Sequence, residues 1–186
     1  MDLYLIRHPT PLIDQGVCYG QSDVPVSPEV LEKTAERLRS LLPLSLVIFA
    51  SPLSRCRLLA ERLGGPVRLD DRLKERDFGQ WELSTWDEIG PDPVDEWVCD
   101  PVDFAPPGGE SARQVRRRVD RFFRELTRGS QASCAIVAHG GPLSLLTARI
   151  LGVPLARAMD LAFECGATSR LVVTPGRGRL AFFNRF

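Results

Sequence analysis

The chain has 186 residues, 44% of them hydrophobic, enough to bury one sizeable core, so a single domain over 1–186 is the expected organisation. Lys and Arg number 24, as do Asp and Glu, which removes any general electrostatic pull toward nucleic acid or an anionic membrane. The five cysteines are widely spaced with no CxxC pair, outlining neither a disulfide framework nor a zinc site. The short apolar run before Arg7 lacks the length of a signal-peptide core, so a reduced, cytoplasmic setting is expected.

In chain order, residues 2–7 (DLYLIR) read as a short buried strand. A loop through Gly16 and Gly20 leads to a helix opened by Ser27-Pro28, with Leu31, Ala35, Leu38 and Leu42 on one face. A strand is predicted over 44–50. A helix ending at Gly64-Gly65 follows, then a brief strand at 66–69. Residues 71–109 break the pattern: they hold all three tryptophans and five prolines, with one short helix predicted after Ser84, and read as an insertion covering a site. From Glu110 a long amphipathic helix turns Ala112, Val115, Val119, Phe122 and Leu126 inward. SCAIVAH is another strand, GGPLSLLTARILG another helix, and strands at 169–174 and 179–184 close the chain around TPGRGR. This alternation predicts a three-layer α/β/α sandwich with a mainly parallel central sheet, whose ligands sit beyond the carboxyl ends of the strands.

The two histidines both fall at that edge. His8 follows Arg7 at the end of the first strand, His139 ends SCAIVAH, and Arg55 stands in the first helical turn after another strand. One such histidine is readily a hydrogen-bonded loop residue. Two, with two arginines converging on them, point to anion chemistry.

These motifs resemble the histidine phosphatases, the superfamily that includes cofactor-dependent phosphoglycerate mutases. LIRHPTP stands where that family has Arg-His-Gly, and VAHGG where it has its second histidine. SPLSRCRLLAERL, LKERDFGQWE and PGGES follow the family order over nearly the whole chain. The resemblance implies that His8 attacks phosphorus, that Glu75 is the proton donor, and that His139 gives a further donor to the phosphoryl oxygens. It also implies that Arg7 and Arg55, with contributions from Thr10 and Gly140, bind the substrate phosphate. No metal or other cofactor is implied, and the partner is a small phosphomonoester. Within the superfamily the resemblance leans toward alpha-ribazole phosphatases, which act on alpha-ribazole 5'-phosphate or its cobalamin-linked form. A broad phosphomonoesterase and a phospho-ligand binding module without turnover stand as alternatives.

The chain departs from the family after His8, where Pro9, Thr10 and Pro11 replace the usual glycine-led run. Pro9 has no N–H to offer a phosphate. Three further features have structural readings beside functional ones. Trp81, Trp86 and Trp97, with Phe104, form either an aromatic wall for a flat substrate or the insertion's own core. Glu110-Ser111 reads as a helix opening. VRRRVDRFFR reads as a solvated basic face.

Overall fold

The computed structural model describes residues 1–129 and 132–186. Six strands form one sheet: β1 (Asp2–Arg7), β2 (Val47–Ala50), β3 (Val67–Leu69), β4 (Ser133–Ala138), β5 (Thr168–Thr174) and β6 (Arg177–Arg185). Their spatial order is β3-β2-β4-β1-β5-β6, with β3, β2, β4 and β1 parallel and the β5–β6 hairpin antiparallel. The architecture is the predicted α/β sandwich.

Side chains alternate across a strand, so a doubly covered sheet needs apolar residues at consecutive positions. In β1, Leu3 and Leu5 join one core with Cys134, Ile136 and Leu171. Tyr4 and Ile6 join the other with Ile48, Ala135 and Val137. The first core is closed by α5 (Ala112–Arg128) and α6 (Gly140–Leu151), the second by α1 (Pro28–Leu41) and α2 (Ser54–Arg62). On α5 the buried residues recur at helical spacing as Val115, Val119, Phe122 and Leu126, each large side chain contributing about 1.5–3 kcal/mol on burial. No helix among the described residues is long and apolar enough to cross a membrane.

Several predicted boundaries move. The strand expected over 44–50 begins only at Val47, because Leu44 is 92% exposed and Ser45 has a left-handed φ of 62°, a turn rather than a strand. The insertion carries two helices rather than one, α3 (Trp86–Ile89) and α4 (Pro91–Cys99). Gly90 separates them at φ 87°, and Pro91 starts the second. The helix expected from Glu110 starts at Ala112, with Ser111 as N-cap in a capping box with Gln114. The final hairpin turns in two residues, Pro175 and Gly176, so both strands run longer than predicted. The basic run of α5 is not uniformly solvated, since Arg118 is buried on the same stripe as Val115 and Phe122.

Candidate active site

The carboxyl ends of β1, β2 and β4 lie side by side, and each delivers a polar residue to one corner. The register of β1 against β4 pairs Arg7 with Ala138, so His8 and His139 leave the sheet together, and Ser51 follows Ala50 at the end of β2. The imidazole centroids are 5.0 Å apart, edge to face. His8 is 2% exposed and His139 fully buried.

His8 is oriented from its far side. Its Nδ1 lies 2.7 Å from the Pro9 carbonyl oxygen, which has no proton to give, so Nδ1 carries the hydrogen and Nε2 keeps its lone pair. The departure at Pro9 therefore removes an N–H from the loop but keeps the acceptor that orients the ring. Burial, then the Arg55 charge, lowers the His8 pKa to about 3, opposed by the bond to Pro9 and assisted by Arg7. His139 is also held well below its ordinary value, by burial first, then by the adjoining His8 and by the charges of Arg55, Arg118 and Arg7. Its Nε2 lies 2.8 Å from Ser51 Oγ, which itself receives the Leu53 N–H at 3.4 Å. The Cys56 thiol lies 3.4 Å from the same Nε2, so Ser51 and Cys56 together hold the ring in place.

The arginines are held by backbone carbonyls. Arg7 Nη1 donates to Phe163 O at 2.6 Å. Arg55, fully buried at the start of α2, donates from Nη1 to Ser22 O at 2.8 Å and from Nη2 to Gly20 O at 2.6 Å, with its guanidinium over the Tyr19 ring. The same loop supplies Asp23, whose Oδ1 accepts from the backbone N–H and hydroxyl of Ser54 at the α2 terminus. Nε of Arg7 and Nε of Arg55 are buried without a hydrogen-bond partner among the described residues. An unsatisfied buried donor costs about 1–3 kcal/mol, and phosphoryl oxygens have the acceptors such donors need.

Glu75 reaches this corner from the loop after β3. Its Oε2 accepts from the Gly141 N–H at 3.2 Å and its Oε1 from the Arg76 N–H at 2.8 Å. A Cβ at Gly141 would lie 2.4 Å from Glu75 Oε1, so a side chain there would push the carboxylate out of this position. Gly140 opens α6 beside the Arg7 guanidinium, with space for a Cβ 3.6 Å from Cζ. The structure thus brings together His8, His139, Arg7, Arg55, Gly140 and Glu75. Thr10, two residues after His8, is exposed.

The aromatic wall resolves largely into the insertion's own core. Trp81 is 6% exposed and packs against Trp86, Trp97 and Phe104, so it has almost no surface for a substrate. Trp97 stacks on Trp86 at 5.8 Å, and Trp86 is the most exposed of the three, at 36%. Among the described residues no group of three or more His, Cys, Asp or Glu is placed to hold a metal ion.

Sequence reasoning missed Ser51, Glu82 and Arg118. Glu82 accepts from the backbone N–H groups of Gln21, Ser22 and Phe78 and from the Ser22 hydroxyl, tying the loop that grips Arg55 to the insertion. Burial opposes its charge, but these donors hold its carboxyl below the usual range. Gly20 is forced by the same contact, since a Cβ there would lie 2.2 Å from Arg76 O and 2.4 Å from Glu82 Oε1. For Arg118 a signal existed: it sits three residues after Val115 and four before Phe122, on the apolar stripe.

A sheet edge with two uncharged imidazoles between two anchored guanidiniums is the arrangement of a phosphoryl-transfer site, and the chain belongs to the histidine phosphatase superfamily (branch 1), whose family model matches residues 3–185. It is an enzyme of the phosphatase class. It is 32% identical to the adenosylcobalamin/alpha-ribazole phosphatase of Escherichia coli K12, over 99% of this chain and 96% of that one. It is 33% identical to the glucosyl-3-phosphoglycerate phosphatase of Mycolicibacterium vanbaalenii, over 82% and 75%. The crystal structure of the alpha-ribazole phosphatase from Shigella flexneri superimposes with a TM-score of 0.89 at 27% identity, covering 99% of this chain and 96% of that one.

Proposed function

We propose that the protein hydrolyses a phosphomonoester through a phosphohistidine on His8. The observation that carries this reading is the state of that ring: buried, uncharged, its Nδ1 bonded to Pro9 O and its Nε2 lone pair left free beside Arg7 and Arg55. Nε2 attacks phosphorus in line, the P–N bond forms as the P–O bond breaks, and the difficult displacement becomes two easier ones. The arginines and the His139 ring take the charge that spreads over the equatorial oxygens. Glu75 protonates the departing alkoxide, then accepts a proton from the water that cleaves the P–N bond and returns His8. No metal has a part in these steps, and activity is expected to survive exhaustive chelation.

Rapid quench with labelled substrate tests the covalent step. An acid-labile, alkali-stable phosphoenzyme is expected in the native protein and absent in His8→Ala, with turnover lower by on the order of 10⁴-fold or more, as when other covalent nucleophiles are removed. Label retained by the variant rejects the assignment.

The substrate reading is alpha-ribazole 5'-phosphate or adenosylcobalamin 5'-phosphate, supported by the named relatives and by the exposed Trp86 in the insertion. Stacking of a flat base on such a ring is worth roughly 1–3 kcal/mol by analogy with nucleic-acid bases. The glucosyl-3-phosphoglycerate relative supports a second, broader reading as a general phosphomonoesterase. Comparison of kcat/KM for alpha-ribazole phosphate, a sugar phosphate and 3-phosphoglycerate decides between them: a clear preference for the first supports the specific reading, and comparable values the general one.

A further inference from the structure

Arg118 is an arginine on the inward face of α5, and every N–H of its guanidinium is used. Nη1 donates to the carbonyls of Arg72 at 2.8 Å and Lys74 at 2.6 Å. Nη2 donates to the Glu75 carbonyl at 2.8 Å and to Glu110 Oε2 at 2.9 Å, and Nε donates to Glu110 Oε1 at 3.0 Å. That accounts for all five donors of the fork. Glu110 carries the grip onward, its Oε2 accepting the Asp77 N–H at 3.1 Å and its backbone carbonyl accepting Arg76 Nε at 2.6 Å. Gln21 Nε2 adds a bond to the Glu75 carbonyl at 3.1 Å.

The backbone from Arg72 to Asp77 is thus held on both sides of Glu75 by a single, largely buried ion pair. The loop has no strand or helix over Lys74–Phe78 to fix its path. Hydrogen bonds to a charged group contribute about 1.5–3 kcal/mol, and the planar fork fixes direction as well as distance. A lysine could supply the charge but not five divergent donors.

We propose that the Arg118–Glu110 pair is the positioning device for the Glu75 carboxylate, fixing where it meets the leaving-group oxygen without itself touching substrate. This rests on the reading of Glu75 as the proton donor. Arg118 spends its five donors on Glu110 and on the Arg72, Lys74 and Glu75 carbonyls and none on His8, His139, Arg7 or Arg55, so loosening it leaves the contacts that bind and attack the phosphoryl group in place. The loss should fall on the two steps Glu75 serves: leaving-group protonation, which differs between esters and shows in kcat/KM, and water activation, which is common to them and shows only in kcat.

The test compares Arg118→Lys, Arg118→Met and Glu110→Gln on a primary alkyl phosphate and on nitrophenyl phosphate, whose phenolate leaves without help. Arg118→Met is expected to lower kcat/KM for the alkyl ester about 10²-fold, the cost of an ångström-scale misplacement. For the aryl ester kcat/KM should fall less than about threefold by the same reasoning. Arg118→Lys and Glu110→Gln should show the same selectivity at smaller amplitude, and they decide the matter if Arg118→Met does not fold. Combined with Glu75→Gln, each change should add almost nothing. Equal losses on both esters, or additive losses in the double variants, overturn the proposal while Glu75→Gln alone remains selective. If Glu75→Gln alone is not selective, the proton-donor reading fails and the positioning proposal falls with it.

Discussion

His8, His139 and Arg55 are buried where parallel strands end, whereas Glu75 reaches the same corner from a segment with no regular structure around it, held by an ion pair and a few backbone bonds. The first group cannot move without shifting strands whose ladders and two apolar cores fix them. The second can be re-aimed by a change in one arginine or one carboxylate. On the proposed mechanism, phosphoryl chemistry is thereby built into the rigid part of the molecule, and leaving-group chemistry into the adjustable part.

If that division is correct, Arg55→Ala should cost kcat/KM about 10²–10³-fold, as when a charge-stabilising donor is removed from other sites, and equally for alkyl and aryl esters. Steady-state kinetics on both esters checks it, and a strong bias toward either would break the comparison.

The rigid side should also reveal itself through acid sensitivity. In the unfolded chain the histidines protonate near pH 6.5, whereas folded His8 does so only near 3 and His139 well below its ordinary value. Both are neutral in either state above pH 6.5, so stability is then at its full value. As pH falls from 6.5 toward 4.5 the unfolded state binds more protons, and stability should drop by up to about 1.4 kcal/mol per pH unit for each histidine. Glu82 and Glu110, whose carboxyls are held low, add losses only below about 4.5. Urea midpoints between pH 7.5 and 4.5 measure the slope. A flat profile there would mean that the imidazoles are not buried uncharged.

The smallest effect sharpens the boundary between the two sides. Glu82→Gln removes the charge that ties the Arg55-gripping loop to the insertion, and should raise KM about 5- to 10-fold, equivalent to about 1–1.4 kcal/mol, with kcat nearly unchanged. A fall in kcat confined to the alkyl ester would show instead that Glu82 belongs with the leaving-group side.

The rigid side was the legible one. An apolar run that stops at Arg-His or at His-Gly states both the strand and what its end presents, because strand and site residue are adjacent in sequence. Glu75 was legible only through the family resemblance. Its supports were not, since Arg118 and Glu110 act on backbone carbonyls and N–H groups more than thirty residues away, and a carbonyl has no letter of its own. The α5 arginines looked alike in composition, and only the 115, 118, 122 spacing set Arg118 apart. The tryptophans misled for a related reason: composition marks a cluster of rings but not which way they face, and here they face mainly one another.

The sheet order carries a consequence for how the protein is made. β1 is synthesised before every strand it pairs with, yet it lies in the middle of the sheet, between β4, some 131 residues later in register, and β5, whose paired residues are later still. At about 5–20 residues per second, the strand bearing Arg7 and His8 waits roughly 7 to 26 seconds for its first neighbour. Throughout that interval Leu3, Tyr4, Leu5 and Ile6 form an exposed apolar segment with both hydrogen-bonding edges open. His8, the proposed nucleophile, is thus made well before the strands that complete its surroundings.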